Sequence, residues 1–186
     1  PEAFFEANPK LRGPRTDHPR RSTQEAFAPC IDEPETREMT SRMVAELVRH
    51  VPELGTYFFK TNDAGPGLCW SDWQYVGPNG PQACRHRPMG QRVRDLMRAI
   101  LDGGKQGGGK LTVHMTGNFS DNELETIKTH LPENTYVRGK GHDSIAIGCC
   151  ADQCYPARGV FDLIGTLQSL PKLKHKNVRT VFVDLR

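Results

Sequence analysis

An acid and its neighbouring amide occupy the position in this sequence where a catalytic group is most readily expected. Asn62 and Asp63 directly follow Thr56–Thr61, an aromatic and β-branched run that is typical of a strand. Gly65 and Gly67 then allow the backbone to turn sharply. A carboxylate at a strand end could act as a general acid or base, or could orient a substrate acetamido group or hydroxyl. An Asx-type turn that ends the strand is the alternative.

The segment that follows this acid, about 63–88, is long and rich in Gly and Pro, and connections of this length usually have a function. Its aromatic residues suit stacking on the C–H face of a sugar, although they equally anchor a long loop. Arg85 and His86 add positive charge that could bind a uronate or a sulfate, and a solvated start of the next helix is the alternative. The predicted substrate-binding residues are Asn62, Trp70, Trp73, Tyr75, Arg85 and His86.

Catalysis by two carboxylates requires a partner for Asp63. Asp32, Asp143 and Asp184 are the available acids. Asp184 directly follows the apolar run Val178–Val183 and is the best placed, because parallel strands all end at the same edge of a sheet. We therefore predict Asp63 and Asp184 as the catalytic pair.

The six cysteines do not form a recognisable metal motif. Cys149, Cys150 and Cys154 cluster downstream of His142, but adjacent cysteines followed by a four-residue step do not match the usual C-x₂₋₄-C pairs. The sequence therefore predicts no metal at the site and no cofactor. A disulfide between Cys69 and Cys84 would staple the long loop in a secreted protein, which spacing alone leaves open.

Short apolar runs alternate with amphipathic helices along the chain, as a βα architecture requires. The run at 26–31 precedes a first helix, for which Asp32 is a candidate N-cap and which Pro52 ends. This helix carries two adjoining apolar stripes, one of Met39, Met43 and Leu47 and the other of Val44, Val48 and Val51.

The later elements follow the same alternation. The second predicted helix covers about 90–102 and ends at Gly103-Gly104. A capping box at Ser120–Glu123 opens another helix, and a last one covers about 159–169. We predict parallel, adjacent strands at about 56–61, 111–115 and 178–183, with short strand candidates at 135–138 and 144–147.

This pattern predicts an α/β fold and, more specifically, a partial (β/α) barrel of the TIM type. An open doubly wound sheet fits the periodicity as well, but polar, aromatic-rich loops after strands favour the barrel. Residues 1–25 read as an irregular lead-in and 26–186 as the incomplete barrel. Because an apolar strand lies at the very end, we expect the chain to be a segment of a longer protein.

Composition excludes two classes of partner. The 25 basic and 22 acidic residues give a net charge of only +3, and the basic clusters lack interleaved aromatics, so no nucleic acid is expected. No apolar run approaches the length of a membrane span. No apolar region marks a signal peptide, so the compartment stays open, with a periplasmic or secreted location slightly favoured.

Three stretches in this order resemble a known family: Phe4–Gly13, Ala28–Glu35 and Thr61–Trp70. They are similar to the central part of glycoside-hydrolase-like barrels related to hexosaminidases and α-glucuronidases, many of them bacterial and uncharacterised. The resemblance is closest from Phe4 to Cys84. It implies carboxylate catalysis at strand ends, and Asp63 matches such an acid. Asn62-Asp63 replaces the Asp-Glu pair of hexosaminidases, which affects the reaction more than the fold.

The leading hypothesis is a segment of a glycosidase barrel that acts on a glycan containing an acidic or amino sugar. A non-catalytic carbohydrate-binding barrel is the second, and an inactive isolated fragment is the third. The expected partners are the carbohydrate and the remainder of the same polypeptide.

Overall fold

The computed structural model describes residues 2–18, 20, 22–61, 67–72, 74–117 and 119–138, together with two short strands at 144–147 and 180–183. The chain forms two compact units, Pro1–Lys140 and Gly141–Arg186. The first unit contains helices and strands, and the described part of the second unit contains two strands, as in an α/β protein. No helix in the described ranges is long and apolar enough to cross a membrane.

The centre of the first unit is a parallel sheet of three strands in the order β3-β4-β5. These strands are β3 (Thr56–Thr61), β4 (Thr112–Gly117) and β5 (Thr135–Arg138). Thr56 pairs with Thr112 and Thr61 with Gly117, so β3 and β4 are in register over their full length. The predicted parallel pairing of the strands near 56–61 and 111–115 is confirmed.

Three helices cover one face of this sheet: α2 (Pro34–His50), α3 (Met89–Gln106) and α4 (Asp121–Lys128). Alternate residues of the strands point toward them, as the two-residue period of a strand requires. Val113 and Met115 of β4 are fully buried in this layer. The core beneath the helices also contains Val44 and Val48 of α2, Val93, Leu96, Met97 and Ile100 of α3, and Leu124 and Ile127 of α4.

The opposite face of the same sheet carries partly exposed aromatic residues. Phe58, His114 and Tyr136 are in register across the three strands. Phe58 is 46% exposed and Tyr136 51% exposed, and the rings of His114 and Tyr136 stack with centroids 4.8 Å apart. Parallel sheets are normally covered on both faces, so this aromatic row is an unusual surface.

The first 30 residues have more structure than the predicted lead-in. They form α1 (Glu2–Ala7), a 3-10 turn, and the antiparallel pair β1 (Arg12–Arg15) and β2 (Phe27–Pro29). The sequence predicts that the run at 26–31 begins a parallel βα unit. This prediction is wrong, because the strand in this run, β2, pairs with β1 in the antiparallel direction. Asp17 holds the connection between these strands: it accepts hydrogen bonds from Arg15 and Ala26, and the Arg15 bond lowers the pKa of Asp17 to about 2.

Two predicted helix ends are wrong. Asp32 is not the N-cap of α2, which begins at Pro34 after Glu33, because the Asp32 carboxylate binds arginine side chains instead. Helix α3 does not end at Gly103-Gly104 but continues to Gln106. These glycines are needed for close packing rather than for a helix end, since an added Cβ at Gly103 would lie 2.4 Å from the Ser41 carbonyl of α2.

The second unit contains a parallel pair of strands, β6 (Ser144–Ile147) and β7 (Thr180–Val183). The expected strand near 178–183 is thus present, and its described neighbour is β6. The predicted helix at 159–169 lies outside the described residues.

Replacement of Gly103 by alanine tests the contact between α2 and α3. In a free helix this change would stabilise by up to about 1 kcal/mol. Here the new methyl group meets backbone atoms, so we expect a net loss of about 1–3 kcal/mol in the free energy of unfolding. Urea denaturation measures it, with Gly55→Ala as the control because nothing lies within 4 Å of an added Cβ there. A stabilised Gly103→Ala variant would contradict the packing.

Candidate functional site

The predicted site residues divide into two groups. Trp70, Tyr75, Arg85 and His86 lie in the described part of the loop after β3. The others, Asn62, Asp63, Trp73 and Asp184, lie outside the described residues. The roles of both groups stay predictions, and only the first group has contacts to report.

Trp70 is a half-buried anchor of this loop. Its indole Nε1 donates a 2.8 Å hydrogen bond to the Pro81 carbonyl, and the Arg85 guanidinium lies 4.9 Å from the ring centroid. Its backbone φ is +62°, in the left-handed region that costs a bulky residue about 1–3 kcal/mol. The surrounding contacts therefore hold Trp70 in a specific position.

Tyr75 and His86 are at the surface of the same loop. Tyr75 is half-buried against His18, with ring centroids 4.6 Å apart, and His86 is exposed. In the same loop, the Asn79 side chain donates a hydrogen bond to Gln74 Oε1. Asn79 also joins the loop to β1, because the Arg15 amide donates a 2.6 Å hydrogen bond to Asn79 Oδ1. The loop is thus fixed to the body of the first unit by polar contacts.

A buried carboxylate joins this loop to helix α4. Glu123 completes the predicted capping box with Ser120, and its Oε1 accepts a 3.0 Å hydrogen bond from the Asp72 amide. Ser120 Oγ in turn donates to Asp72 Oδ2 at 2.8 Å. Burial raises the pKa of Glu123. These bonds make Glu123 a structural link at the sheet edge where β4 ends.

Cys30, Cys69 and Cys84 meet in the interior of the first unit. Each is at most 2% exposed, and their Sγ atoms all lie within 4.8 Å of one another. Cys30 lies between β2 and α2, Cys69 in the long loop, and Cys84 shortly before α3. We call these three residues the thiol cluster. All three are free thiols, so the disulfide considered for Cys69 and Cys84 is not formed.

The three thiols differ in how readily they lose a proton. Cys69 donates to Cys30 with the sulfurs 3.7 Å apart, and this bond lowers the pKa of Cys30 to about 6. The same bond, together with burial, raises the pKa of Cys69. Burial raises the pKa of Cys84 to about 11. Of the three thiols, Cys30 is therefore the one that loses its proton most readily.

A buried arginine lies beside the thiol cluster. Arg92 is 1% exposed; its Nη1 donates to the Cys69 carbonyl, and its Nε donates to Asp32 Oδ2 at 2.7 Å. The other oxygen of Asp32 accepts from Arg87, which also binds Asp95 at 2.8 Å. Arg92 Nη2 is buried with no hydrogen-bond acceptor among the described residues.

A glycine permits the loop to approach the thiol cluster. An added Cβ at Gly80 would lie 2.5 Å from the Cβ and 3.0 Å from the Sγ of Cys69, and its φ of +149° favours glycine.

A separate groove of about 440 Å³ lies between α2 and α3, and its lining contains none of the predicted site residues.

The sequence reasoning missed the thiol cluster because it searched for closely spaced cysteines. The candidate metal residues at 142, 149, 150 and 154 lie outside the described residues. Cys30 was left out entirely, since 39 residues separate it from Cys69. The sequence did contain a usable indication. Cys30 and Cys84 each precede a predicted helix by a few residues, and in a βα architecture neighbouring helices run in the same direction, which brings their first turns together.

Replacement of Asp32 by asparagine tests the buried ion pair. The change removes the charge that compensates Arg92, so we expect a loss of about 3–5 kcal/mol in the free energy of unfolding. Denaturant unfolding measures it. Glu46→Gln is the matched control, because Glu46 pairs with Arg49 at the surface with 63% of its side chain exposed and should contribute little. Equal losses in the two variants would contradict the importance of the buried pair.

Replacement of Glu123 by glutamine tests the raised pKa. Because the folded pKa lies above the unfolded value of about 4.3, the folded state holds this proton more tightly. That stabilisation is complete below the unfolded pKa and is lost as pH rises through the folded pKa. The stability of the wild type relative to Glu123→Gln should therefore decrease over this window. Urea unfolding at several pH values measures it, with the exposed Glu125→Gln as control; a pH-independent difference would contradict it.

Comparison with protein-family models, curated proteins and solved structures finds no match to this chain. The resemblance to hexosaminidase- and α-glucuronidase-like barrels accordingly stays a prediction from the sequence.

Proposed function

We propose that the chain is part of a glycoside-hydrolase-like (β/α) barrel that hydrolyses a glycan containing an acidic sugar. The observation that carries the proposal is the two-sided character of the parallel sheet. Its strands follow one another in chain order, and its helices all lie on one face. In a barrel, helices form the outer ring and the other sheet face lines the interior.

The aromatic row supports this assignment of faces. Phe58 and Tyr136 are large apolar side chains, and each is about half exposed on the face opposite the helices. In a closed barrel, side chains from the remaining strands would pack against such a row, because the barrel interior is filled with layers of side chains. A doubly wound sheet would instead require helices over the row.

The carboxyl end of the sheet supports an acidic substrate. Lys60, Thr116 and Arg138 are in register one step beyond the aromatic row, toward the strand ends. Lys60 and Thr116 belong to the face opposite the helices, and Lys60 is exposed. Catalytic groups of barrels are found at this end of the strands. The Lys60 ammonium group at this end suits a uronate carboxylate, with which lysine pairs readily.

The two acids complete the proposal. Asp63 follows β3 by two positions, and Asp184 directly follows β7, so each comes from the carboxyl end of a strand. In this proposal one acts as the general acid and the other as the base or nucleophile. Trp70 is held in place by Pro81 and Arg85, and in this proposal it serves as a fixed stacking surface for the sugar.

Replacement of Asp63 by asparagine tests the proposal. The variant keeps the size of the side chain but cannot transfer a proton, so turnover should fall by about 10²-fold or more. The measurement is hydrolysis of 4-nitrophenyl glucuronides and N-acetylhexosaminides by the protein expressed from its full reading frame. We expect the glucuronide to be the better substrate.

Asp102→Asn is the matched control, because Asp102 is an exposed acid on α3. It should retain wild-type turnover. Unchanged turnover in a folded Asp63→Asn protein would reduce Asp63 to a turn residue. Binding of these sugars without hydrolysis by the wild type would replace catalysis with a carbohydrate-binding role.

A further inference from the structure

We propose that the thiol cluster, Cys30, Cys69 and Cys84, is a binding site for one thiophilic divalent metal ion, with Zn²⁺ as the natural occupant. The inference rests on residues other than the proposed catalytic acids and does not depend on the proposed function, although Trp70 packs against the thiol cluster.

The spacing of the sulfurs fits a single ion. An ion about 2.3 Å from each sulfur at tetrahedral angles holds the sulfurs about 3.8 Å apart. Cys30 and Cys69 have their sulfurs 3.7 Å apart, and the third sulfur lies within 4.8 Å of both. A disulfide would need about 2.05 Å between two of them. In an iron–sulfur cluster the cysteines are divided among two or more iron atoms, so three cysteine sulfurs would not all lie this close together.

The surroundings fit a buried anionic complex. Three thiolates and one divalent ion carry a net charge of −1, which needs a nearby cation when water is excluded. Arg92 supplies it: the guanidinium is fully buried, binds the Cys69 carbonyl, and retains an Nη2 donor with no acceptor in the described ranges. Groups that surround metal ligands commonly tune the charge of the site in this way.

The backbone conformation around the thiol cluster also fits a ligand-binding site. Trp70 holds a left-handed conformation directly after Cys69, and Gly80 brings the opposing loop backbone against that cysteine. Strain of this kind is concentrated at ligand-binding positions.

The protein supplies three ligands from the described residues. Asp32 is close in sequence to Cys30, but both of its oxygens are bound by Arg87 and Arg92. The three cysteines leave the fourth position of a tetrahedral ion open, and we assign it to a single enclosed water, as in zinc sites with three protein ligands.

The test uses the full 186-residue chain purified under reducing conditions. A background variant with Cys149, Cys150 and Cys154 all changed to serine leaves only the thiol cluster. We expect about one zinc per chain in both the wild type and this background by elemental analysis. Cys30→Ser, Cys69→Ser or Cys84→Ser in the background should each lower the zinc content at least about tenfold, because loss of a direct ligand exceeds the effect of an outer contact.

A second measurement does not depend on the folding of the single variants. Co²⁺ added to the metal-free background protein should give the visible bands of tetrahedral cobalt and the ultraviolet charge-transfer band of a thiolate complex. Zn²⁺ should displace the cobalt and protect all three cysteines from alkylation. Acidification should release the metal, because the thiolates become protonated.

Three results would overturn the proposal. The first is a background protein that binds no metal and has three cysteines open to alkylation when folded. The second is a disulfide within the thiol cluster, found by peptide mapping without reductant. The third is zinc that is lost in the background variant but kept when Cys30→Ser is introduced alone into the wild-type chain, since this would place the metal at the other cysteines.

Discussion

Arg92 is a cation enclosed by protein on all sides, and the parts of the first unit around it are arranged to compensate its charge. Asp32 approaches from the turn before α2, Arg87 and Asp95 extend the pairing, and the Cys69 carbonyl completes it from the loop. An uncompensated ion in such a place would cost several kcal/mol. The ion pair therefore determines how the first turns of α2 and α3 and the long loop can meet, and the three cysteines come together where they do.

The helices impose a second constraint through the small residues of α3. Gly103 and, directly after the end of α3, Gly107 lie against carbonyl groups of α2, and Gly90 lies against the Thr126 carbonyl of α4. With side chains at these positions the three helices would stand farther apart. Close helix packing in turn lets one layer of apolar residues fill the space above the sheet. The other face of the sheet has no such cover among the described residues and carries Phe58 and Tyr136 instead.

Local patterns in the sequence were sufficient to predict most elements but not their faces or ends. The strand at Thr56–Thr61 and the capping box of α4 agree with prediction, because β-branched runs and Ser-x-x-Glu act through neighbouring residues. Helix α2 offered two apolar stripes, and tertiary packing buries Val44 and Val48 while Met43 stays 66% exposed. The thiol cluster was not predicted, since its contacts join residues far apart in the chain. Asp63 and Asp184 lie outside the described residues, so their catalytic roles stay predictions from the sequence.

The distances along the chain between the three cysteines have a consequence for folding. All of α2 and β3 lie between Cys30 and Cys69, whose sulfurs are separated by 39 residues of chain. In the native structure their approach requires that helix and strand to be in place and the loop to return to the start of α2. Contacts that close such long loops come late, because their entropic cost is met only after nearer contacts exist. Protection of the thiols from alkylation should therefore appear in the last stage of folding, when the helices have packed together and the loop has closed over them.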